Sequence, residues 1–167
     1  MIDTRFPTAF QIVLTVAVRN QDGSRCTSFD LAAGLGANPS FVRKLLAPLS
    51  QSGILISSIG KNGGIRLGRR ASEISLHDIY STVISDKKLW AARGDVRCEC
   101  PVSKHIPTLF DCVERQAEAA VEAALSQVTI ADMLHQLQEL QQQELQAGNP
   151  ESCPQGAAAE KLETLQN

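Results

Sequence analysis

Two sets of side chains in this 167-residue chain have types and spacing suited to chemistry. The first is the thiols, at Cys26, Cys98, Cys100, Cys112 and Cys153. In Cys98-Glu99-Cys100-Pro101 two thiols stand one residue apart, and proline is a residue type that opens helices. If Pro101 is a first helical residue, Cys100 caps that helix. The helix dipole then favours its thiolate, Lys104 and His105 one turn on add positive charge, and Glu99 opposes it. Cys98 is a candidate resolving thiol. Cys112 lies about three turns further along, and Cys26 could meet a thiol of another subunit. Cys98, Cys100, His105 and Cys112 are also of the types that hold zinc or an iron–sulfur cluster. A chain in which these cysteines merely pack is the third reading. The spacing is poor for a local metal site, all three readings stay open, and Cys153 is assigned no role.

The second set is cationic and polar: Thr27, Ser28, Asn38, Ser40, Arg43 and Lys44, then Lys61, Asn62 and Arg66. The fork of Arg43 matches guanine O6 and N7, and Lys44 suits a phosphate. Thr27, Ser28, Asn38 and Ser40 stand where helices start, so they can cap, bond phosphate, or reach bases. Lys61, Asn62 and Arg66 would enter or flank a minor groove. For Thr27, Ser28 and Ser40 the alternative is capping alone, and for Arg43 a surface ion pair. The three histidines, His77, His105 and His135, fall on separate elements. They supply no set of nucleophile, base and orienting group, so the chain is not read as an enzyme.

The charge distribution agrees with the second set. Residues 1–70 carry nine Lys/Arg against three Asp/Glu, and residues 71–167 carry seven against fifteen. A basic half beside an acidic half suits a nucleic-acid-binding module on an acidic scaffold. Only 4% of residues are aromatic, which favours Ala/Leu/Val helices over a β core. The N-terminal apolar run is too short and too polar to span a bilayer, and no signal peptide is visible. The expectation is a cytoplasmic protein with no membrane partner, where a structural disulfide framework is not expected.

The elements that must position these residues follow in order. Residues 7–20 read as a mostly buried helix. A second helix is capped by Thr27 or Ser28, with Asp30 in its first turn. Gly34 and Gly36 turn the chain. Asn38 caps a third helix with Pro39 at its first position, its inner face formed by Phe41, Val42, Leu45, Leu46 and Leu49. Pro48 should distort its last turn or end it early. Runs 54–58 and 65–69 are β-prone around GKNGG, a hairpin signal. Ser75 caps a helix through Ile84. Residues 86–104 show no period and read as a loop. A helix then begins at Pro101 or Pro107, with Ile106, Phe110, Val113, Ala117 and Val121 on one face and Glu114, Glu118 and Glu122 on another. Thr129 caps a continuation with Ile130, Met133, Leu134, Leu137, Leu140 and Leu145 inward. So long a stripe exceeds what the small N-terminal domain can cover, which favours a two-fold dimer. The fold class is therefore mainly α with a small β wing: a winged helix-turn-helix over 1–85, a cysteine-containing loop over 86–104, dimerisation helices over 105–146, and a disordered tail over 147–167.

This order, carried by DLAAGLGANPSFVRKLLAPLSQSGIL, the wing GKNGGIRLGR, SLHDIY and LSQVTIADML, resembles the Rrf-type transcription regulators, which include IscR, NsrR and CymR. The segment CECPVSKHIPTLFDCVERQAEAAVEAAL looks closest to the branch of YwnA-like and HypR-like regulators, in which a Cys-Pro pair opens the dimerisation helix. The resemblance covers roughly residues 5–140. It implies a homodimer that binds near-palindromic operator DNA and represses or activates promoters, with repression the reading taken here. It also implies a sensor: an iron–sulfur cluster, a reactive thiol, or partner binding. Cluster-binding members space three cysteines nearly evenly. Here Cys98 and Cys100 are one residue apart and Cys112 follows after eleven more, a departure from that pattern. Two further readings come from other classes: a winged-helix module whose basic face binds a protein, and a thiol oxidoreductase using Cys98-Glu99-Cys100.

Overall fold

The computed structural model describes residues 3–58, 63–84, 90 and 100–146. The elements run α1 (Arg5–Gln21), α2 (Ser28–Gly34), α3 (Pro39–Gln51), β1 (Leu55–Ser58), β2 (Gly64–Leu67), a 3₁₀ turn (Ala71–Glu73), α4 (Leu76–Val83), α5 (Pro101–Ser126) and α6 (Ile130–Gln146). Short-range chemistry starts the helices. Thr27–Asp30, Ser75–Asp78 and Thr129–Asp132 each form a reciprocal box: the hydroxyl oxygen accepts the Asp amide and the carboxylate accepts the cap amide. Asn38 Oδ1 accepts the Ser40 amide at 2.8 Å, with Pro39 opening α3. Pro48 does not end α3. It lies three residues from the end, so it deletes one backbone hydrogen bond and the helix runs on to Gln51.

The core is built around α1, which buries Ala9, Ile12, Val13, Val16 and Ala17 along one face. Leu31 and Ala32 of α2, Val42, Leu45 and Leu49 of α3, and Ile79 and Val83 of α4 complete it, with Leu55 and Ile65 from the hairpin. The strands pair antiparallel in the register Leu55↔Leu67, Ile56↔Arg66, Ser57↔Ile65 and Ser58↔Gly64. One bond roots this hairpin in the domain and a second extends its ladder by one pair. The Ile65 amide donates to the Cys26 carbonyl at 2.7 Å, and the Gly68 amide donates to the Ile54 carbonyl at 2.9 Å.

The second half differs from expectation in three places, after a helix start that was one of the two expected. The long helix begins at Pro101, the earlier of its two expected starts, so its first turn takes in the end of the stretch read as a loop over 86–104. It stops at Ser126, and α6 is a separate helix: the Leu76 amide donates to the Val128 carbonyl and the Ile130 amide to the Ile74 carbonyl, pinning the junction to the start of α4. Glu114 was expected on a polar face but is buried, 4% exposed, because contact with α4 covers this side of α5. Leu140 and Leu145 were expected inward. They are exposed, Leu145 to 81%, because α6 packs on α1 and the 3₁₀ turn through its first turns, where Ile130 and Leu134 are buried, and its later turns project beyond them. The expected tail over 147–167 lies outside the described residues. No described helix is long and apolar enough to cross a membrane.

Candidate nucleic-acid interface

The helix-turn-helix and the hairpin meet at a cleft of about 530 Å³. Arg25 and Arg43 line it, with Thr27, Ser28, Ser57 and Ser58. No carboxylate among the described residues does. Two guanidinium groups among hydroxyls, with no carboxylate in the described lining, give the cleft a positive potential suited to a polyanion. Local sequence explains the arrangement. Asn38 and Pro39 set where α3 starts, and burial of Val42, Leu45 and Leu49 turns Ser40, Arg43 and Lys44 outward, where all three are exposed. The β1–β2 register places Arg66 opposite Ile56 on the exposed side of the hairpin. Arg66 also lines a neighbouring cleft of about 520 Å³ with Asn20, Ser24 and Arg25.

Of the expected polar set, Thr27, Ser28 and Arg43 come together in the first cleft. Asn38, Ser40 and Lys44 share the exposed side of α3 and its cap, and Arg66 stands on the hairpin. Lys61 and Asn62 lie outside the described residues. Thr27 is engaged as a cap: its hydroxyl donates to Asp30 at 2.6 Å and accepts the Asp30 amide at 3.2 Å. That hydroxyl bond holds the Asp30 carboxyl below its ordinary value, helped by Arg19 at 3.8 Å. Sequence reading missed Arg25, Ser57 and Ser58. Arg25 had one available signal, its place two residues before the α2 cap. The two serines had none, since only pairing with β2 aims them at α3.

The described thiols, Cys26, Cys100 and Cys112, do not converge. Cys26 is 1% exposed, behind the hairpin root, and burial pushes its thiol up, partly countered by Arg19. Cys100 is the cap of α5: its Sγ accepts the Ser103 amide at 3.4 Å and lies 3.1 Å from Ser103 Oγ. Cys112 is exposed further along α5. Twelve residues of helix set Cys100 and Cys112 about 18 Å apart along the axis. Within one chain they cannot share a disulfide or a metal ion. His105, one turn from Cys100, is exposed. Among the described residues no three His, Cys, Asp or Glu side chains are grouped to hold a metal ion. Cys98 and Cys153 lie outside the described residues.

Residues 2–136 match the Rrf2 family model, described as "Iron-dependent Transcriptional regulator". Over 137 residues the chain is 26% identical to YwnA of Bacillus subtilis (strain 168), which bears the name of an HTH-type transcriptional regulator; the match spans 82% of this chain and 99% of YwnA. Among solved structures, T. potens IscR superposes with a TM-score of 0.62 at 22% identity, over 84% of this chain and 90% of IscR. CymR, the global cysteine regulator of B. subtilis, superposes with a TM-score of 0.59 at 19% identity, over 81% of this chain and 96% of CymR. The iron in the family description finds no matching donor set among the described residues. Cys100 and Cys112 are too far apart along one helix to ligate together.

Proposed function

Because this chain belongs to the Rrf2 family of transcription regulators, we propose that it acts as a homodimeric repressor that reads a near-palindromic operator with α3 in the major groove. The observation that carries this reading is the carboxylate-free cleft between α3 and the hairpin, with Arg43 on one wall and Ser57 and Ser58 on the other. In this geometry Arg43 takes a guanine edge, Ser40 and Asn38 reach bases or phosphates from the start of α3, and Lys44 takes a phosphate. Thr27 serves the interface by fixing α2, since its hydroxyl is occupied by Asp30, while Ser28 faces the strand. Arg25 joins the phosphate contacts, and Arg66 approaches the minor groove with the hairpin. A protein-binding role for this basic face is the competing reading, and salt dependence separates the two.

Dimerisation is supported by α5. Val102, Ile106, Leu109 and Val113 recur at four, three and four residues and are all exposed. They form one seam about 16 Å long that the other described residues leave uncovered. A second copy of α5 covers it in a self-complementary contact. A redox response is supported by Cys100, a thiol in a helix-capping position with backbone and hydroxyl partners.

The test is a titration of duplex DNA from the chain's own upstream region against wild type and Arg43→Ala. Wild type should bind it in preference to mixed-sequence DNA, with affinity falling steeply as salt rises. Arg43→Ala should cost about 1–3 kcal/mol and relax preference at one position in each half-site. Equal loss on every duplex overturns base reading by Arg43, and absence of salt-dependent binding overturns the DNA reading. Repeating the titration after oxidation tests the thiol: unchanged affinity removes the redox response.

A further inference from the structure

We propose that Phe29 is a further DNA-contacting residue, its ring lying on deoxyribose carbons of the strand that α2 crosses. Phe29 is the second residue of α2 and is 75% exposed, more than any other aromatic side chain among the described residues. Phe6 meets Tyr80 edge-on at 5.3 Å, Phe10 and Phe41 pack against the core, and Trp90, 49% exposed, has Phe110 beside it at 6.2 Å. Phe29 lies outside the buried Leu31–Ala32 face of its helix, between Ser28 and Asp30 in sequence. Keeping a phenyl ring in water there is unfavourable unless something covers it.

Position identifies the cover. When the second helix of a helix-turn-helix occupies the major groove, the first crosses the sugar–phosphate backbone. The two residues before Phe29, Thr27 and Ser28, line the same cleft as Arg43. The adjoining carboxylate, Asp30, is occupied by Arg19 at 3.8 Å and by the Thr27 hydroxyl, so it does not bar a phosphate. Between phosphates a strand offers apolar sugar carbons, and a ring laid on them removes apolar surface from water on both sides. Every nucleotide carries the same sugar, so the contact adds affinity without sequence preference. It displaces no counterion. This inference rests on the DNA interface proposed above.

The full-length chain, Phe29→Ala, Phe29→Leu and Arg43→Ala are titrated at several salt concentrations. Two probes are used: the tightest duplex recovered from a random pool and a mixed-sequence duplex. Phe29→Ala should weaken both about tenfold, the effect of uncovering roughly half a phenyl side chain. The slope of affinity against salt should stay at its wild-type value. Phe29→Leu should keep most of the affinity, and Arg43→Ala should lose chiefly the preference for the selected duplex. An unchanged melting temperature for Phe29→Ala separates a lost contact from a lost fold. Wild-type affinity of Phe29→Ala beside an impaired Arg43→Ala overturns the role of Phe29 alone. A loss accompanied by a flatter salt slope also overturns it, because phosphate contacts would then have been lost. If neither variant alters binding to either probe, the interface reading itself fails.

Discussion

Replacing Gly68 by alanine should both destabilise the domain and displace the hairpin. Gly68 follows β2, and its amide donates to the Ile54 carbonyl at 2.9 Å. A Cβ at this position would stand 2.2 Å from the Gly53 carbonyl oxygen, 3.1 Å from the Gly53 carbonyl carbon and 3.3 Å from Ile56 Cγ2. The first two are backbone atoms, so no side-chain rotation relieves the contact and the two segments must part by about 1 Å. Gly68 does not have a positive φ, so alanine meets no conformational penalty, and the unfolded chain loses some freedom worth about 0.4–1 kcal/mol in alanine's favour. Against that stand overpacking of about 3 kcal/mol, at the upper end because backbone faces backbone, and a weakened hydrogen bond of about 1 kcal/mol. The net loss is about 3 kcal/mol, or about 6–12 °C in melting temperature for a domain of this size. Gly53→Ala is the internal control. It faces open space, but its φ of 72° strains alanine, so it should lose only about 1–2 kcal/mol. Thermal melts followed by circular dichroism read both. Gly68→Ala should also lose affinity for DNA, since the hairpin forms one wall of the cleft. A Gly68→Ala protein that melts within about two degrees of wild type, a shift of under 1 kcal/mol, would refute the close-approach reasoning.

Further expectations follow from α5, Asp30 and the thiols. Leu109→Asp should leave the protomer folded, because Leu109 is exposed, yet shift sedimentation from dimer to monomer by placing an unpaired charge in the seam, at a cost of about 3 kcal/mol or more; an unshifted dimer places the interface elsewhere. Asp30 titrates below its ordinary value, chiefly through the Thr27 hydroxyl. Its contribution to stability is therefore complete above the unfolded-state value of about 4 and is lost as pH falls through the lower folded-state value. Asp30→Asn should flatten stability across that acid window, as read by urea melts at successive pH values, and should leave the slope near neutrality unchanged. Cys112 should be alkylated at once in the native protein, and Cys26 only after unfolding, because Cys26 is buried with its thiol pushed up; peptide mass spectrometry reads the order, and early labelling of Cys26 would contradict its placement behind the hairpin.

The local chemistry of this chain was legible without coordinates. Thr27, Asn38, Ser75 and Thr129 announce helix starts because a cap needs only the residues two or three positions on. The spacing of Val42, Leu45 and Leu49 selects the inner face of α3 and so turns Arg43 and Lys44 outward. Those two facts were enough to place a helix-turn-helix beside a hairpin. Tertiary structure decided what depends on partners distant in sequence. Periodicity marks a helix face, but how far the neighbour across it extends decides which residues of that face are covered. Glu114 is therefore buried against α4 while Leu140 and Leu145, in phase with an apolar stripe, extend past α1 into solvent. The same holds for Arg25, Ser57 and Ser58, which reach the cleft only when β1 and β2 fold back beside α3. It holds too for Cys26: its spacing allowed a reactive thiol, and the hydrogen bond from Ile65 to its carbonyl places it beneath the hairpin.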